Sequence, residues 1–596
     1  MSVLPEHPAQ EQNGLPGFNL PLDYLPPGIH GTAELDYFKE FALFPHALQF
    51  PAGFGVVQRE VLMMRVMNTI TEKPDWEKKV FNEEIVSKWR NEITESGQDI
   101  STKMMDYIIK ELQWKAELSK SQKFITAFDA GVVKSDTAIP EDLRKALVDA
   151  VAPLEDIPVE EKDYHPGSDD KVIDLVHPSL FPLVYGHTRI LPDQVIDLDN
   201  CLGTTGQGEI LEVSTESDAY APSEDYEQYS KRFQWLPCDV KLSSAGAEPE
   251  CKIVSYINNL HPVEHRTLYG VIEEVIARTV PLWDSSLYPS WPVGPRIPYE
   301  DVQFEESTEP EPVREQDEDD DDYDDRVNVW ERAHTIKQPE PGEFKPRNPS
   351  VGEEINIHEI FGDTGLQIIV KLANIELTPE KPEYGGGSWH IEGQLNERIC
   401  ATAIYYYDCE NITESTLGFR QRMDENAFEE VSYEQERHEF VQQVYGMPPE
   451  WVNQSIGPVT QHLGSVTCRE GRLLTFPNIL QHCVSPFSLA DPSKPGHRKI
   501  LALFLVDPHM RIISTANIPP QQEGWGKEKR ELVQGVLSEK LPLELQQMIS
   551  KEGISHQMMS LKEAKKFREE LMEERSIHGP AQNAAFETGR FSLCEH

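Results

Sequence analysis

Gly385-Gly386-Gly387-Ser388-Trp389-His390-Ile391-Glu392-Gly393 is the stretch whose reading decides the fold. A glycine-rich turn leads into a short extended run. In a strand successive side chains alternate faces, so His390 and Glu392 point the same way while Ile391 points away. An imidazole and a carboxylate so placed can share one metal ion. A second imidazole follows about ninety residues later, in Leu480-Gln481-His482-Cys483-Val484. Two histidines and one carboxylate on one face of an ion leave three positions open, the set used for non-haem iron(II). Arg498 then opens the apolar run Lys499 to Val506. Its planar guanidinium can take a carboxylate through two parallel hydrogen bonds.

An H-x-E pair arises readily by chance in a chain with 19 His and 102 acidic residues. The weight lies in the conjunction of a Gly turn, a strand-like segment, a distal His and an Arg in that order. Around them eight strand-like runs can be counted: Leu366 to Glu376, Ser388 to Glu392, Ile399 to Tyr407, Thr416 to Arg420, Val459 to Cys468, Arg472 to Phe476, Gln481 to Phe487 and Lys499 to Val506. Turn residues at Gly385 to Gly387, Asp408 to Asn411, Glu470-Gly471 and Asp491 to Gly496 separate most of them. Glu429 to Tyr445 interrupts the series and reads as a helix or lid.

The order H-x-D/E, distal His, Arg resembles the iron(II)/2-oxoglutarate-dependent dioxygenases, whose core is an eight-stranded double-stranded β-helix, a jelly roll. The segments Trp389 to Glu397, Ala401 to Tyr407, Gly471 to Gln522 and Tyr256 to Pro262 also resemble a fungal family recorded only as a domain of unknown function, DUF4246. That second likeness runs over most of the chain and implies no activity. The first implies an α+β protein with a double-stranded β-helix in the C-terminal half. It further implies Fe(II) held by His390, Glu392 and His482, and 2-oxoglutarate held by Arg498, as an oxygenase acting on an unknown substrate. The carboxylate is Glu392 where most dioxygenases carry Asp. Alternation lets Tyr405 and Tyr407 point inward together, or Tyr406 alone; the pair Tyr405 and Tyr407 is the candidate to assist the co-substrate carboxylate.

Five regions follow. Residues 1–56 read as an extended Pro- and Gly-rich arm, and 57–302 as a helical then mixed region, with Val61, Met64, Val66 and Ile70 near helical spacing. Residues 303–350 read as a disordered insert, because the run Asp317 to Asp325 buries no apolar area and repels itself. Residues 351–520 form the catalytic core and 521–596 a helical extension, with helices expected over Lys527 to Ser538 and Leu561 to Arg575. His261 and His265 are four apart, but Pro262 argues against a regular helix through them.

The charge, 55 basic against 102 acidic residues or −47, repels phosphate backbones and anionic lipid, which argues against nucleic acid and a membrane surface as partners. A basic protein would be attracted through the acidic insert. Eight cysteines without C-x-x-C spacing point away from a zinc finger or a disulfide framework. The start lacks the basic and apolar regions of a secretion signal, so an intracellular chain, cytoplasmic or nuclear, is expected. Two other classes stay open: a cupin-type metalloenzyme that uses the same triad without 2-oxoglutarate, and a non-enzymatic acidic interaction protein built on a β-helix core.

Overall fold

The computed structural model describes residues 14–25, 43–49, 53, 55–212, 228–243, 250–287, 294–306, 309–316, 318–346, 355–435, 437–448, 456–526 and 558–593. The helix expected over Lys527 to Ser538 lies outside them.

Helices α1 (Gln58–Thr71) and α2 (Thr102–Gln122) form where buried Val61, Met64 and Met67, and Ile108 and Leu112, recur at helical spacing. The Ser101 hydroxyl accepts from Met104 N at the start of α2, a cap worth about 1 kcal/mol. There follow β1 (Ile125–Phe128), β2 (Val132–Ser135), α3 (Glu141–Glu155), β3 (Val172–Val176), β4 (Cys238–Ser243), β5 (Glu250–Ile253), α4 (Arg266–Leu287) and α5 (Asp320–Arg332). The C-terminal half supplies β6 (Leu366–Leu377), β7 (Glu383–Tyr384), β8 (Ile399–Glu410), β9 (Ser415–Arg422), β10 (Thr460–Cys468), β11 (Leu473–Pro477), β12 (Gln481–Val484), β13 (Phe487–Ser488), β14 (Gly496–Val506) and α6 (Leu561–Glu587).

The protein is mixed α+β, dominated by a nine-stranded antiparallel sheet in the order β5-β4-β6-β14-β8-β11-β2-β1, with β3 also pairing β6. A three-stranded sheet, β10-β9-β12, faces it. Between the two lie Phe419, Phe476, Ile404, Leu417, Ala502 and Phe504, all buried. The opposite face of the large sheet carries Val370, Leu372, Tyr405, Tyr407 and Leu503, covered by Leu147, Ile272 and Trp283 of α3 and α4. Each fully buried aliphatic or aromatic side chain here contributes roughly 1.5–3 kcal/mol, and the two-residue period decides which face it serves.

Three expectations are corrected. The boundary between 57–302 and 351–520 is not a boundary in the sheet. Val240 of β4 pairs with Leu366 of β6, and Lys134 of β2 with Leu474 of β11. An exposed strand edge offers unpaired N–H and C=O groups, and the N-terminal strands cover both edges of the C-terminal set. The acidic insert is not without structure. Asp319 caps α5 by accepting from Asp322 N, Asp320 to Asp322 occupy the first turn where the helix dipole favours anions, and Arg326 pairs with Glu318 at 2.7 Å. Ser388 to Glu392 is not a strand. It is held by one bridge, in which His390 N donates to His482 O (3.2 Å) and His482 N to His390 O (3.0 Å). The chain then turns at Gly393, φ +70°, where a Cβ would meet Ile399 Cδ1 at 2.9 Å. Among the described residues no helix is long and apolar enough to cross a membrane.

Candidate metal centre

The bridge between His390 and His482 faces both side chains into the space between the sheets. On β12, His482 pairs with Phe419 of β9, and its ring lies 4.7 Å from that of Phe476. Glu392 is fixed through its backbone. Its N–H donates to Asn478 Oδ1 (3.0 Å), and Asn478 Nδ2 donates to its carbonyl (2.9 Å) and to that of Ile399 (3.0 Å). Asn478 is buried, and its own carbonyl accepts from Ala47 N of the N-terminal arm (3.2 Å). From the far side Asn583 of α6 donates to Trp389 O (3.3 Å) and accepts from Gln481 Nε2 (2.8 Å).

These constraints bring three ligand atoms together, all within 4.8 Å of one another. Glu392 Oε1 stands 3.4 Å from His482 Nε2 and 3.8 Å from His390 Nε2, and the two rings are 4.3 Å apart. His482 is buried, while the His390 side chain is 44% exposed, which puts the mouth of the site on its side. His390 Nδ1 lies 2.7 Å from Ser388 O. A carbonyl only accepts, so the proton is on Nδ1 and the Nε2 lone pair faces the carboxylate. His482 Nδ1 is buried without a hydrogen-bond partner. Burial pushes the Glu392 carboxyl up, but the hydrogen bond from His482 and the field of His390 win and hold it at about 2. Burial first, then His482, pulls His390 down to about 4. At neutral pH the set is therefore one anion and a neutral imidazole at His390, the protonation that metal ligation requires.

Arg498 also enters the space between the sheets. It is buried, its Nη1 donates to Ser415 Oγ (2.9 Å), and its guanidinium lies 4.6 Å from the Phe487 ring and 5.7 Å from that of Tyr406. Its Nε has no partner. Tyr405 and Tyr407 are corrected: both sit on the opposite face of β8, against α3 and α4, and Tyr406 alone stands beside Arg498. The inward face of β8 is fixed by Ile404, which pairs with Ala502 and joins the inner core, so parity sends 405 and 407 outward. His261 and His265 join no metal-ligating cluster among the described residues.

Three features escaped the sequence reading. Asn478 carries no motif. Lys371 is one of two charges, with Glu376, in the otherwise largely apolar strand Leu366–Leu377, and its parity with Ile369 marks the inner face. His165, Asp174 and His177 form a second cluster with ligand atoms within 4.8 Å, nine and three residues apart in the chain.

A family model described as "Protein of unknown function (DUF4246)" matches residues 102–529, and its companion, "Domain of unknown function DUF4246, N-terminal", matches residues 15–92. The chain belongs to this family. No curated protein matches it.

Proposed function

We propose that the protein is an iron(II)- and 2-oxoglutarate-dependent oxygenase that oxidises a C–H bond of an unknown substrate. One observation carries this reading: His390, Glu392 and His482 converge within 4.8 Å between two facing sheets. The donor set, two nitrogens and one carboxylate oxygen, suits a divalent ion of the iron(II) type. The order of segments supports it further. Counted from β6, with the His390 segment as the second, segments one, three, six and eight lie in the large sheet as 1-8-3-6. Segments two, seven, four and five make the small one, an order that supports a double-stranded β-helix.

The metal, when bound, supplies the redox chemistry with dioxygen and the keto acid. The chain's own residues do the rest. Ser388 O and Asn478 hold His390 and Glu392 in their ligating orientation without help from the ion. Phe419 and Phe476 keep the inner side of the site dry, which strengthens every charge interaction in it. Exposure at His390 leaves entry to solvent and substrate on one side. Lys371 and Arg498 offer two cations for the carboxylate of the co-substrate.

The test is anaerobic loading with iron(II), addition of 2-oxoglutarate, and then oxygen. The expected result is a weak visible charge-transfer band before oxygen and succinate after it, both absent in His482→Ala. Metal bound at unit stoichiometry with a spectrum blind to 2-oxoglutarate would favour the cupin-type reading instead.

A further inference from the structure

We propose that Lys371 is the anion anchor of this site, holding the far carboxylate of a dicarboxylate such as 2-oxoglutarate beside His390, Glu392 and His482. The inference rests on the reading above and gives to Lys371 the part that the sequence order suggests for Arg498.

Strand register carries the argument. Lys371 of β6 stands opposite Ala502 of β14, and Ala502 opposite Ile404 of β8. Ile369, Ala502 and Ile404 belong to the core between the sheets, so Lys371 points into that same space. Ala502 across β14 and Ala373 two residues along β6 are small. Its charge is felt by His177 of the neighbouring strand as well as by His390 and Glu392.

Lys371 is half-buried and makes no hydrogen bond or ion pair with any described residue. Other lysines tucked into the fold are matched: Lys115 by Glu111 at 3.1 Å, Lys499 by Glu155 at 2.9 Å, and Lys134 by Glu72. An ammonium drawn out of water without a counter-charge is costly, and an incoming carboxylate would offset that cost.

Arg498 is more enclosed and partly engaged, though its Nε has no partner. Its guanidinium already has a hydroxyl partner in Ser415 and two aromatic rings over it. Ser415 lies four residues along β9 from Phe419, the partner of His482, and Arg498 lies four residues along β14 from Ala502, the partner of Lys371. At about 3.3 Å per residue each offset is roughly 13 Å.

The experiment uses the full chain loaded anaerobically with manganese(II), with metal stoichiometry read first and ligand binding then measured by calorimetry. Wild type, Lys371→Met, Lys371→Arg and Arg498→Ala are titrated with 2-oxoglutarate and with pyruvate, which has the same keto acid and no far carboxylate. Lys371→Met keeps the apolar stem and should retain one metal, weaken 2-oxoglutarate at least tenfold and leave pyruvate within about twofold; Lys371→Arg should restore most of the loss. Equal binding of 2-oxoglutarate by wild type and Lys371→Met overturns the assignment, as does a loss carried by Arg498→Ala or a loss that pyruvate shares. Wild-type protein that binds metal but neither keto acid overturns the oxygenase reading itself, a result distinct from the first.

Discussion

Two clusters in this molecule have the same composition, two imidazoles and a carboxylate within 4.8 Å, yet their surroundings prepare them for different work. In the His390, Glu392, His482 cluster a backbone carbonyl takes the Nδ1 proton of His390 and turns its lone pair inward. In the His165, Asp174, His177 cluster the reverse holds. Ser179 N donates to His177 Nδ1 (3.1 Å), so the proton of the neutral ring is on Nε2, which has no lone pair to give. Asp174 Oδ2 is already engaged, while its Oδ1 is buried without a hydrogen-bond partner. His165 Nδ1 lies 2.8 Å from its Oδ2 and Arg568 Nη1 3.5 Å, while Arg568 grips Asp163 at 2.6 and 3.1 Å. The second cluster thus ties α6 to β3. Ligand identity makes a metal site thinkable, and at His390 and His177 the partner of the second ring nitrogen sets which nitrogen keeps its lone pair.

The largest effect expected from this contrast is in metal affinity. His390→Ala or His482→Ala should weaken binding of one manganese(II) or iron(II) by more than about a hundredfold, since even outer partners of ligands are worth 10–100-fold. His177→Ala should leave stoichiometry and affinity unchanged. Equilibrium dialysis under nitrogen checks this, and a metal that stays with His390→Ala but leaves with His177→Ala would reverse the two roles.

Stability should show the opposite ranking in the metal-free protein. The Asp174 and Arg568 side chains are only 1% and 4% exposed, and breaking such a buried pair typically costs 3–5 kcal/mol. Asp163 remains to Arg568, so Asp174→Ala should cost about 3 kcal/mol, at the lower end of that range. Glu392→Gln keeps its volume but gives up a charge that the two imidazoles hold ionised down to about 2, so it should cost less than Asp174→Ala without being neutral. Urea midpoints of the two variants measure the difference. Equal losses would make the triad a structural knot like its counterpart.

The site was legible in the sequence to the extent that it depends on local parity and order. His390 and Glu392 two apart, His482 after them and an apolar β14 are one-dimensional facts, and they survive even though the His390 segment is a single bridge rather than a strand. Most of what failed depends on partners far along the chain. The face of Tyr405 and Tyr407 is set by pairing with β14 and by α3 and α4, which alternation alone leaves undetermined by one residue. The acidic run folds because Asp319 caps a helix that Arg326 stabilises, while composition registers only repulsion. The edges of the sheet come from residues more than a hundred positions upstream. Asn478 matters only because a turn after β11 meets the Glu392 backbone.

The smallest effect separates the clusters by pH. His177 is buried, and that burial, with the charges of Lys371, His165, Arg568 and Arg575 behind it, holds its folded-state value well below the ordinary 6.5. A base whose pKa is depressed on folding binds fewer protons folded than unfolded once the pH drops below 6.5. The stability it contributes is then whole above that pH and lost as the pH falls. One such group sets a slope of at most about 1.4 kcal/mol per pH unit. Metal-free wild type should therefore lose up to roughly 2 kcal/mol between pH 6.5 and 5. In His177→Gln that limb should flatten, because the titrating group is gone. His390→Gln shares the direction but should move the limb less, because a ring that is 44% exposed gives up less of its hydration on folding. Urea midpoints at pH 7, 6 and 5 decide it, and a limb that His390→Gln flattens while His177→Gln leaves it intact would mean that the triad, not the knot beneath α6, carries the buried neutral imidazole of this fold.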